Sequence, residues 1–327
     1  MNILISGGAG YIGSSIAHKL IDQKHRVTII DNLSNGYKFL LPKKAKFYKC
    51  NISQIKKIKK IIINQKFDAL IHLAGLVKVE ESIKNPKKYY RNNYLLGKKF
   101  VQGCLDAGIK NIIFSSTAGV YGNTKHKKKI KENSILKPLN PYAKSKMLLE
   151  KFLLNLTKKY KFKVVILRYF NVAGAEYNLR SGLVRSKKNL IKNICYSLAN
   201  NKTKFTINGS SYRTIDGTPV RDFIHISDLV NIHLKVIKKI SNSKVSNVYN
   251  CGYGSGFSVK QVINTANNLT TKKLKIIYGP KRKGDISYSV SDVSKFKKEF
   301  SWKPKYNNLS KILKSSIEWE KKLRFRR

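Results

Sequence analysis

Acidic residues are scarce in this chain: 17 Asp and Glu stand against 67 Lys and Arg, a formal charge of +50 over 327 residues. That excess raises nucleic-acid binding, because clustered cations gain affinity by displacing counterions from phosphates. The distribution argues against it. Lysine greatly outnumbers arginine and is scattered from Lys19 to Lys322 among Asn and Ile, without repeats of aromatic and basic residues. We read the charge as solvated faces and expect no specific nucleic-acid partner. Cysteine is rarer still. Cys50, Cys104, Cys195 and Cys251 lie far apart, with no C-x-x-C pair and no histidine at zinc spacing, so neither a disulfide nor a metal site is expected. The six histidines show no ligand spacing either. Also missing is any run of roughly 18 apolar residues that could span a bilayer. The opening MNILISGGAG enters a strand-like run without the basic-then-apolar build of a secretory signal, so a cytoplasmic protein with no membrane partner is expected.

What is present is enough apolar material for a real core, at 42% of residues. In the first half, β-branched runs at residues 2–6, 26–31, 47–50, 69–73, 111–116 and 163–169 read as strands. Amphipathic segments at 12–22, 53–65 and 142–160 read as the helices between them. Such βαβ alternation calls for a parallel sheet with helices on both faces. Beyond Asn171 glycines punctuate shorter elements, which points to a smaller second lobe interleaved with the first.

The first strand runs into GGAGYIG at residues 7–13. Glycines at Gly7, Gly10 and Gly13 suit a tight turn where a phosphate can approach the backbone N–H groups and the positive end of a helix. The second strand ends at Asp31, the position where a dinucleotide fold places an acid on the ribose hydroxyls, which favours NAD over NADP. The fold class is therefore α/β: a doubly wound parallel-sheet Rossmann domain over residues 1–171, with a return segment around 221–252. Residues 172–327 form mainly the smaller, interleaved α+β substrate lobe.

Tyr142 and Lys146 stand four apart at the start of a helix after Pro141, so they share a face. An ammonium beside a phenol favours the phenolate and would make Tyr142 a usable base. At the end of the fifth strand, Ser115, Ser116 and Thr117 offer hydroxyls to a substrate oxygen. Glycine turn, strand-end acid, strand-end hydroxyls and Tyr-Lys helix come in that order along the chain.

With these residues stand DNLSNG at 31–36, HLAGL at 72–76, FSSTAGVYG at 114–122, NPYAKSK at 140–146, RYFNVAGA at 168–175, DGTPVRDFIHISDL at 216–229 and RKGD at 282–285. Over nearly its full length the chain resembles the UDP-glucose 4-epimerase family of extended short-chain dehydrogenases/reductases. The resemblance implies inversion at C4 of UDP-glucose and UDP-galactose through a transient 4-keto sugar, with bound NAD and a UDP-sugar substrate. An enzyme of the same family acting on UDP-glucuronate or a UDP-pentose is the alternative. Sugar 4,6-dehydratases are disfavoured, since Ala118 and Gly119 occupy the places of their acid pair. A sensor without catalysis would be expected to lack Tyr142 or Lys146.

By the same resemblance, Thr117, Tyr142 and Lys146 are catalytic. The cofactor falls to Gly7, Gly10, Tyr11, Ile12, Gly13, Asp31, Asn32, Asn35, Asn51, Ile52, Leu73, Ala74, Gly75, Asn93, Ser115 and Tyr169 together with Tyr142 and Lys146. Asn171, Asn189, Leu190, Arg221, Arg282, Asp285 and Ser289, with Thr117 and Tyr142, line the UDP-sugar site. A homodimer is expected through helices following the fourth and fifth strands. Two positions depart from the family: Asn51 stands where an acid is usual, and Val77 replaces a lysine, with Lys78 one place later. Ser289, four places after Asp285, stands where an aromatic residue would restrict the sugar's C2 substituent. N-acetylhexosamine forms are therefore expected as substrates too.

Overall fold

The computed structural model describes residues 1–123, 128–185, 189–240, 246–281 and 285–325. Along the chain lie β1 (Asn2–Ser6), α1 (Tyr11–Asp22), β2 (Arg26–Asp31), β3 (Lys46–Lys49), α2 (Ile55–Gln65), β4 (Ala69–His72), α3 (Val79–Lys84), α4 (Pro86–Tyr89), α5 (Gly97–Asp106), β5 (Asn111–Thr117) and α6 (Pro141–Leu156). They are followed by β6 (Lys163–Tyr169), β7 (Asn171–Ala173), α7 (Leu190–Ala199), β8 (Lys204–Asn208), β9 (Val220–His225), α8 (Ile226–Ile240) and β10 (Asn247–Cys251). The last elements are β11 (Gly256–Ser258), α9 (Val259–Asn268), β12 (Lys275–Gly279), β13 (Tyr288–Ser289), α10 (Ser294–Phe300) and α11 (Leu309–Arg324).

The six strands read from the sequence are there, each within one residue of the expected bounds. They belong to a seven-stranded sheet ordered β10-β6-β5-β4-β1-β2-β3, and the pairs β1 with β2, β1 with β4, β2 with β3 and β4 with β5 are all parallel. Central strands are apolar on both faces, as a sheet covered twice requires: every residue of β1 and β4 is buried. The edge strand β3 instead carries exposed Lys46 and Lys49, which discourages further strand pairing. Leu4, Ile30, Leu70, Ile112 and Phe114 point to one side, into a core with Ile58, Ile61 and Ile62 of α2, Phe100 and Val101 of α5, and Leu149 and Leu153 of α6. On the other side α1 packs against β1 and β2.

The chain builds β1, β2 and β3 outward, then returns to place β4 on the far side of β1. Loops leaving β1 and β4 meet at this reversal. A Cβ on Gly7, whose φ is +77°, would lie 2.6 Å from the Ala74 nitrogen. One feature escaped the sequence reading: Tyr90–Leu96, between α4 and α5, is π-helical, and it turns Asn93 inward.

Contacts divide the chain into two compact units. The first holds Met1–Gly122, Ile135–Arg168 and Val230–Tyr249; the second holds Asn123–Ser134, Tyr169–Leu229 and Asn250–Arg327. The return to the first unit is thus α8 from Val230 onward and the start of β10. Strand β9 belongs to the second unit, where it pairs with β7, β11 and β13. A two-stranded parallel sheet of β8 and β12 completes that unit's strands.

Candidate active site

In the first unit, the expected phosphate turn lies between β1 and α1. Gly10 caps α1 in extended conformation, no side chain caps the helix, and no acidic residue stands in its first turn. The helix thus presents its positive end, at Ile12 and Gly13, where an anion would be favoured. The three glycines are required for different reasons. Cβ atoms on Gly7 and Gly13 would meet backbone, at 2.6 Å from Ala74 N and 2.4 Å from Gly7 O. On Gly10 a Cβ would meet only Gly7 O, at 3.4 Å. Protein packing therefore does not demand glycine there, and the space it leaves open fits a pyrophosphate.

Asp31 is tied into the same turn. Its Oδ2 accepts from the Ala9 N–H at 3.0 Å and its Oδ1 from the Leu33 N–H at 2.7 Å. Burial pushes this carboxyl up from its ordinary value, and the two backbone donors pull it back. Asn32 and Asn35 follow, both exposed. Asn51 accepts from the Ser53 N–H at 2.9 Å, which leaves its oxygen one further lone pair, and Ile52 is buried beside it. These features fit the adenosine and diphosphate parts of a dinucleotide.

Further along the sheet edge, Leu73, Ala74 and Gly75 leave β4. Asn93 pins that loop, accepting from the Leu76 N–H at 2.8 Å and donating to the Leu76 carbonyl at 2.9 Å and the Ser145 hydroxyl at 3.2 Å. A Cβ on Gly75 would lie 3.5 Å from Lys146 Nζ, so its absence keeps space beside that ammonium. Val77 and Lys78 beyond are exposed, and the Lys78 N–H donates to the Tyr89 hydroxyl at 3.1 Å.

Helix α6 begins on a strong local signal: Asn140 Oδ1 accepts from the Ala143 N–H at 2.9 Å, and Pro141 takes the first helical position. Tyr142 therefore sits in the first turn, with Lys146 one turn on. The Tyr142 hydroxyl shares a hydrogen bond with the Thr117 side chain, and Thr117 Oγ1 also accepts from the Gly119 N–H at 3.1 Å. Lys146 Nζ donates to the Ser115 carbonyl at 2.9 Å and lies 4.9 Å over the Phe114 ring. Its electrostatics differ from the expectation that Lys146 depresses the Tyr142 pKa. Burial raises Tyr142, and Thr117 is what offsets it. Burial lowers Lys146 to about 8, with Glu150 working the other way. The ammonium has been turned toward the Ser115 carbonyl, so its push on the phenol is not expressed in this arrangement.

Three residues around this helix, Glu150, Arg168 and Tyr121, were given no role in the sequence reading. Glu150 and Arg168 form a buried ion pair at 2.6 Å, Ser116 Oγ donates to the same carboxylate, and Arg168 Nη1 donates to the Tyr121 hydroxyl at 3.0 Å. The signal for Glu150 was its place on the Tyr142 and Lys146 face, four residues further on. His72 is a core residue: its Nδ1 pairs with the Ser6 hydroxyl at 2.7 Å, and burial first, then Lys146, lower its pKa to about 3.

The second unit carries a cavity of about 490 Å³, lined by Asn171, Asn189, Leu190, Arg221 and Asp285 together with Phe205, Thr206, Ile207, Asn208, Phe223 and Val259. It brings together five of the expected substrate residues. Asn189 caps α7, accepting from the Lys192 N–H at 3.0 Å, and so fixes Leu190 at the helix start. Arg221 Nη2 pairs with Asp285 at 2.6 Å. Ser289 lies beside Arg221 in the register of β13 on β9, and is half-buried. Arg282 lies outside the described residues. Tyr169 closes β6 and is buried. The lining from β8 was not anticipated, because KFTIN falls in no motif read from the sequence.

Among the described residues no group of three or more His, Cys, Asp or Glu could hold a metal ion, and no helix is long and apolar enough to cross a membrane. All four cysteines are free and buried.

Residues 3–252 match the NAD dependent epimerase/dehydratase family. The chain is 37% identical to the UDP-glucose 4-epimerase of Lactobacillus helveticus, over 98% of this chain and 97% of that one. It superposes with TM-score 0.95 and 29% identity on the UDP-glucose 4-epimerase of Stenotrophomonas maltophila, solved with bound NAD and formylated UDP-arabinopyranose, all of both chains being covered. The UDP-Glc/GlcNAc 4-epimerase of Campylobacter jejuni is 40% identical, with TM-score 0.83 over 98% of this chain and 99% of that one.

The open space at Gly10 yields a test of the cofactor turn. Gly10→Ala should fold with the parent's Tm and yet lose nicotinamide from the purified protein, whereas Gly13→Ala should lose both stability and cofactor. Absorbance of released nicotinamide and a thermal melt read the two effects; full nicotinamide content in Gly10→Ala would place the pyrophosphate elsewhere.

Proposed function

The chain belongs to the NAD dependent epimerase/dehydratase family, and from that membership we infer that it is an NAD-dependent isomerase that inverts C4 of UDP-glucose and UDP-galactose. The observation that carries this reading is the Thr117, Tyr142 and Lys146 cluster at the end of β5, beside a glycine turn and ribose acid that fit a dinucleotide.

When bound, NAD supplies the reversible hydride acceptor. The residues that would hold it are Gly7, Gly10, Tyr11, Ile12 and Gly13 at the phosphates, Asp31, Asn32 and Asn35 at the adenosine ribose, and Asn51 and Ile52 at the adenine. Leu73, Ala74, Gly75, Asn93, Ser115 and Tyr169 would flank the rest, with Lys146 on the nicotinamide ribose. The chain's own chemistry is proton transfer. Tyr142, hydrogen-bonded to Thr117, removes the proton of the sugar O4 as C4 becomes a ketone, and returns it after the sugar has turned its other face. Lys146 supports the phenolate once it is drawn from the Ser115 carbonyl. The nucleotide is held throughout by Asn171, Asn189, Leu190, Arg221, Arg282 and Asp285, the guanidiniums suiting a diphosphate.

A cytoplasmic homodimer is part of the same reading. Val79, Ile83 and Leu95, before and beside α5, expose 42%, 59% and 49% of their surface, apolar area that a second copy would cover. Elution as a monomer at micromolar concentration would remove that part.

The reading is tested with UDP-galactose in a coupled assay. Tyr142→Phe should lower kcat by about 10²-fold or more, the scale of a lost general base, with UDP-galactose binding near the parent's. Near-normal turnover would exclude Tyr142 as the base.

Ser289 sets the sugar range. Serine lacks the ring that would crowd a C2 acetamido group, and the Campylobacter relative carries both plain and N-acetylated sugars in its name. The parent should therefore epimerise UDP-N-acetylglucosamine and UDP-N-acetylgalactosamine, and Ser289→Tyr should lower kcat/KM for these while sparing the plain sugars. If the parent ignores the acetylated sugars, or the added ring leaves their relative rate unchanged, Ser289 does not control this pocket.

A further inference from the structure

We propose that Glu150 is a positioning residue: its buried carboxylate, shared between Ser116 and Arg168, fastens helix α6 to strand β5 and keeps the Lys146 ammonium charged. The inference rests on the assignment of Tyr142 and Lys146 above.

The geometry is a repeat. Tyr142, Lys146 and Glu150 fall at successive turns along one face of α6, and each meets one of three consecutive residues of β5. Tyr142 bonds the Thr117 side chain, Lys146 the Ser115 carbonyl and Glu150 the Ser116 hydroxyl. Two of these bonds involve side chains given chemical work to do. The third has none, and it is the most deeply placed: Glu150 is 1% exposed and Ser116 3%.

A lone carboxylate at that depth would be strongly disfavoured. Arg168 on β6 compensates it, donating to Glu150 Oε2 at 2.6 Å from Nη2 and to Oε1 at 3.1 Å from Nε. Arg168 is itself held by the Tyr121 hydroxyl and lies 4.9 Å over that ring. Burial pulls its guanidinium down, and Glu150 and Tyr121 outweigh that pull. The pair is net neutral, but its negative end is the one on the helix of Lys146.

The charged and titratable groups around Lys146 can be named. On α6 these are Tyr142 and Glu150; from β4 comes His72, kept neutral by burial; the Ser115 carbonyl and Phe114 ring face it from β5; Gly75 and Asn93 add no charge. Glu150 is thus the one anion in the set. Without it, no anion opposes the burial of the ammonium, and the proton Lys146 needs is lost at lower pH.

The test follows the Lys146 proton directly. In protein as purified, labelled with ¹³C and ¹⁵N at lysine, the Lys146 side-chain resonance is assigned from its absence in Lys146→Met and titrated by NMR. In Glu150→Gln the midpoint should fall by about one pH unit or more, the scale of a nearby opposite charge. The alkaline limb of kcat should fall with it, while KM for UDP-galactose stays within threefold. Because Glu150→Gln strands a buried guanidinium, Glu150→Gln/Arg168→Gln is measured beside it; with no buried charge left unpaired, it should show the same downward direction. Ser116→Ala, which removes one bond between α6 and β5 and no charge, should leave the NMR midpoint in place. A midpoint that stays put in both Glu150 variants, or that moves equally in Ser116→Ala, overturns the proposal. Loss of the functional reading alone would look different: no parental turnover, with the NMR midpoints still shifted.

Discussion

Strand order reverses beside β1, and the chemistry of the first unit depends on that reversal. Chain leaving β1 goes outward to β2, and chain leaving β4 goes the other way, so a crevice opens at the carboxyl ends of the strands. The start of α1 lies there with no side chain to cap it. The close packing of Gly7 against Ala74 keeps the crevice narrow. Asp31 then reaches back from β2 to the Ala9 N–H, which makes this carboxylate and the glycine turn one connected object. A polar ligand entering here meets donors already oriented by the sheet, and little ordering remains to be done.

Next along the same edge, α6 lies on the end of β5. Burial works against the charged forms of both Tyr142 and Lys146. The protein counters with Thr117 for the phenol and Glu150 for the ammonium. Poising two groups between neutral and charged forms suits a proton that must leave the sugar and come back to it within one cycle. The same helix also carries core residues Leu149 and Leu153, so the reacting groups are fixed by the packing that stabilises the sheet.

Much of this was legible in the sequence, for physical reasons that can be named. Buried parallel strands need unbroken apolar runs, which is why NILIS and ALIH could be read as strands. The glycine turn and the Asn-Pro helix start are local signals and fell where expected. Asn93 was assigned by likeness, but its π-helical setting has no local signature. The Glu150 and Arg168 pair was hidden because partners 18 residues apart on a helix and a strand become neighbours only in the folded sheet. The β8 wall of the cavity was hidden for another reason: Phe205, Thr206, Ile207 and Asn208 belong to no motif, and only the folded chain brings them to the cavity. Of the assigned substrate residues, Arg282 lies outside the described residues, and Ser289 is placed by strand register beside Arg221.

The scattered lysines are best understood as solvated surface, since the buried cations Lys146, Arg168 and Lys192 are each hydrogen-bonded. In the proposed cycle the hydrogen on C4 leaves as hydride and returns to the same carbon without meeting water. That claim is tested by giving the enzyme UDP-galactose deuterated at C4, in ordinary water, and recovering the UDP-glucose. Retention of essentially all the deuterium at C4 is the predicted result; its replacement by solvent hydrogen would contradict the account.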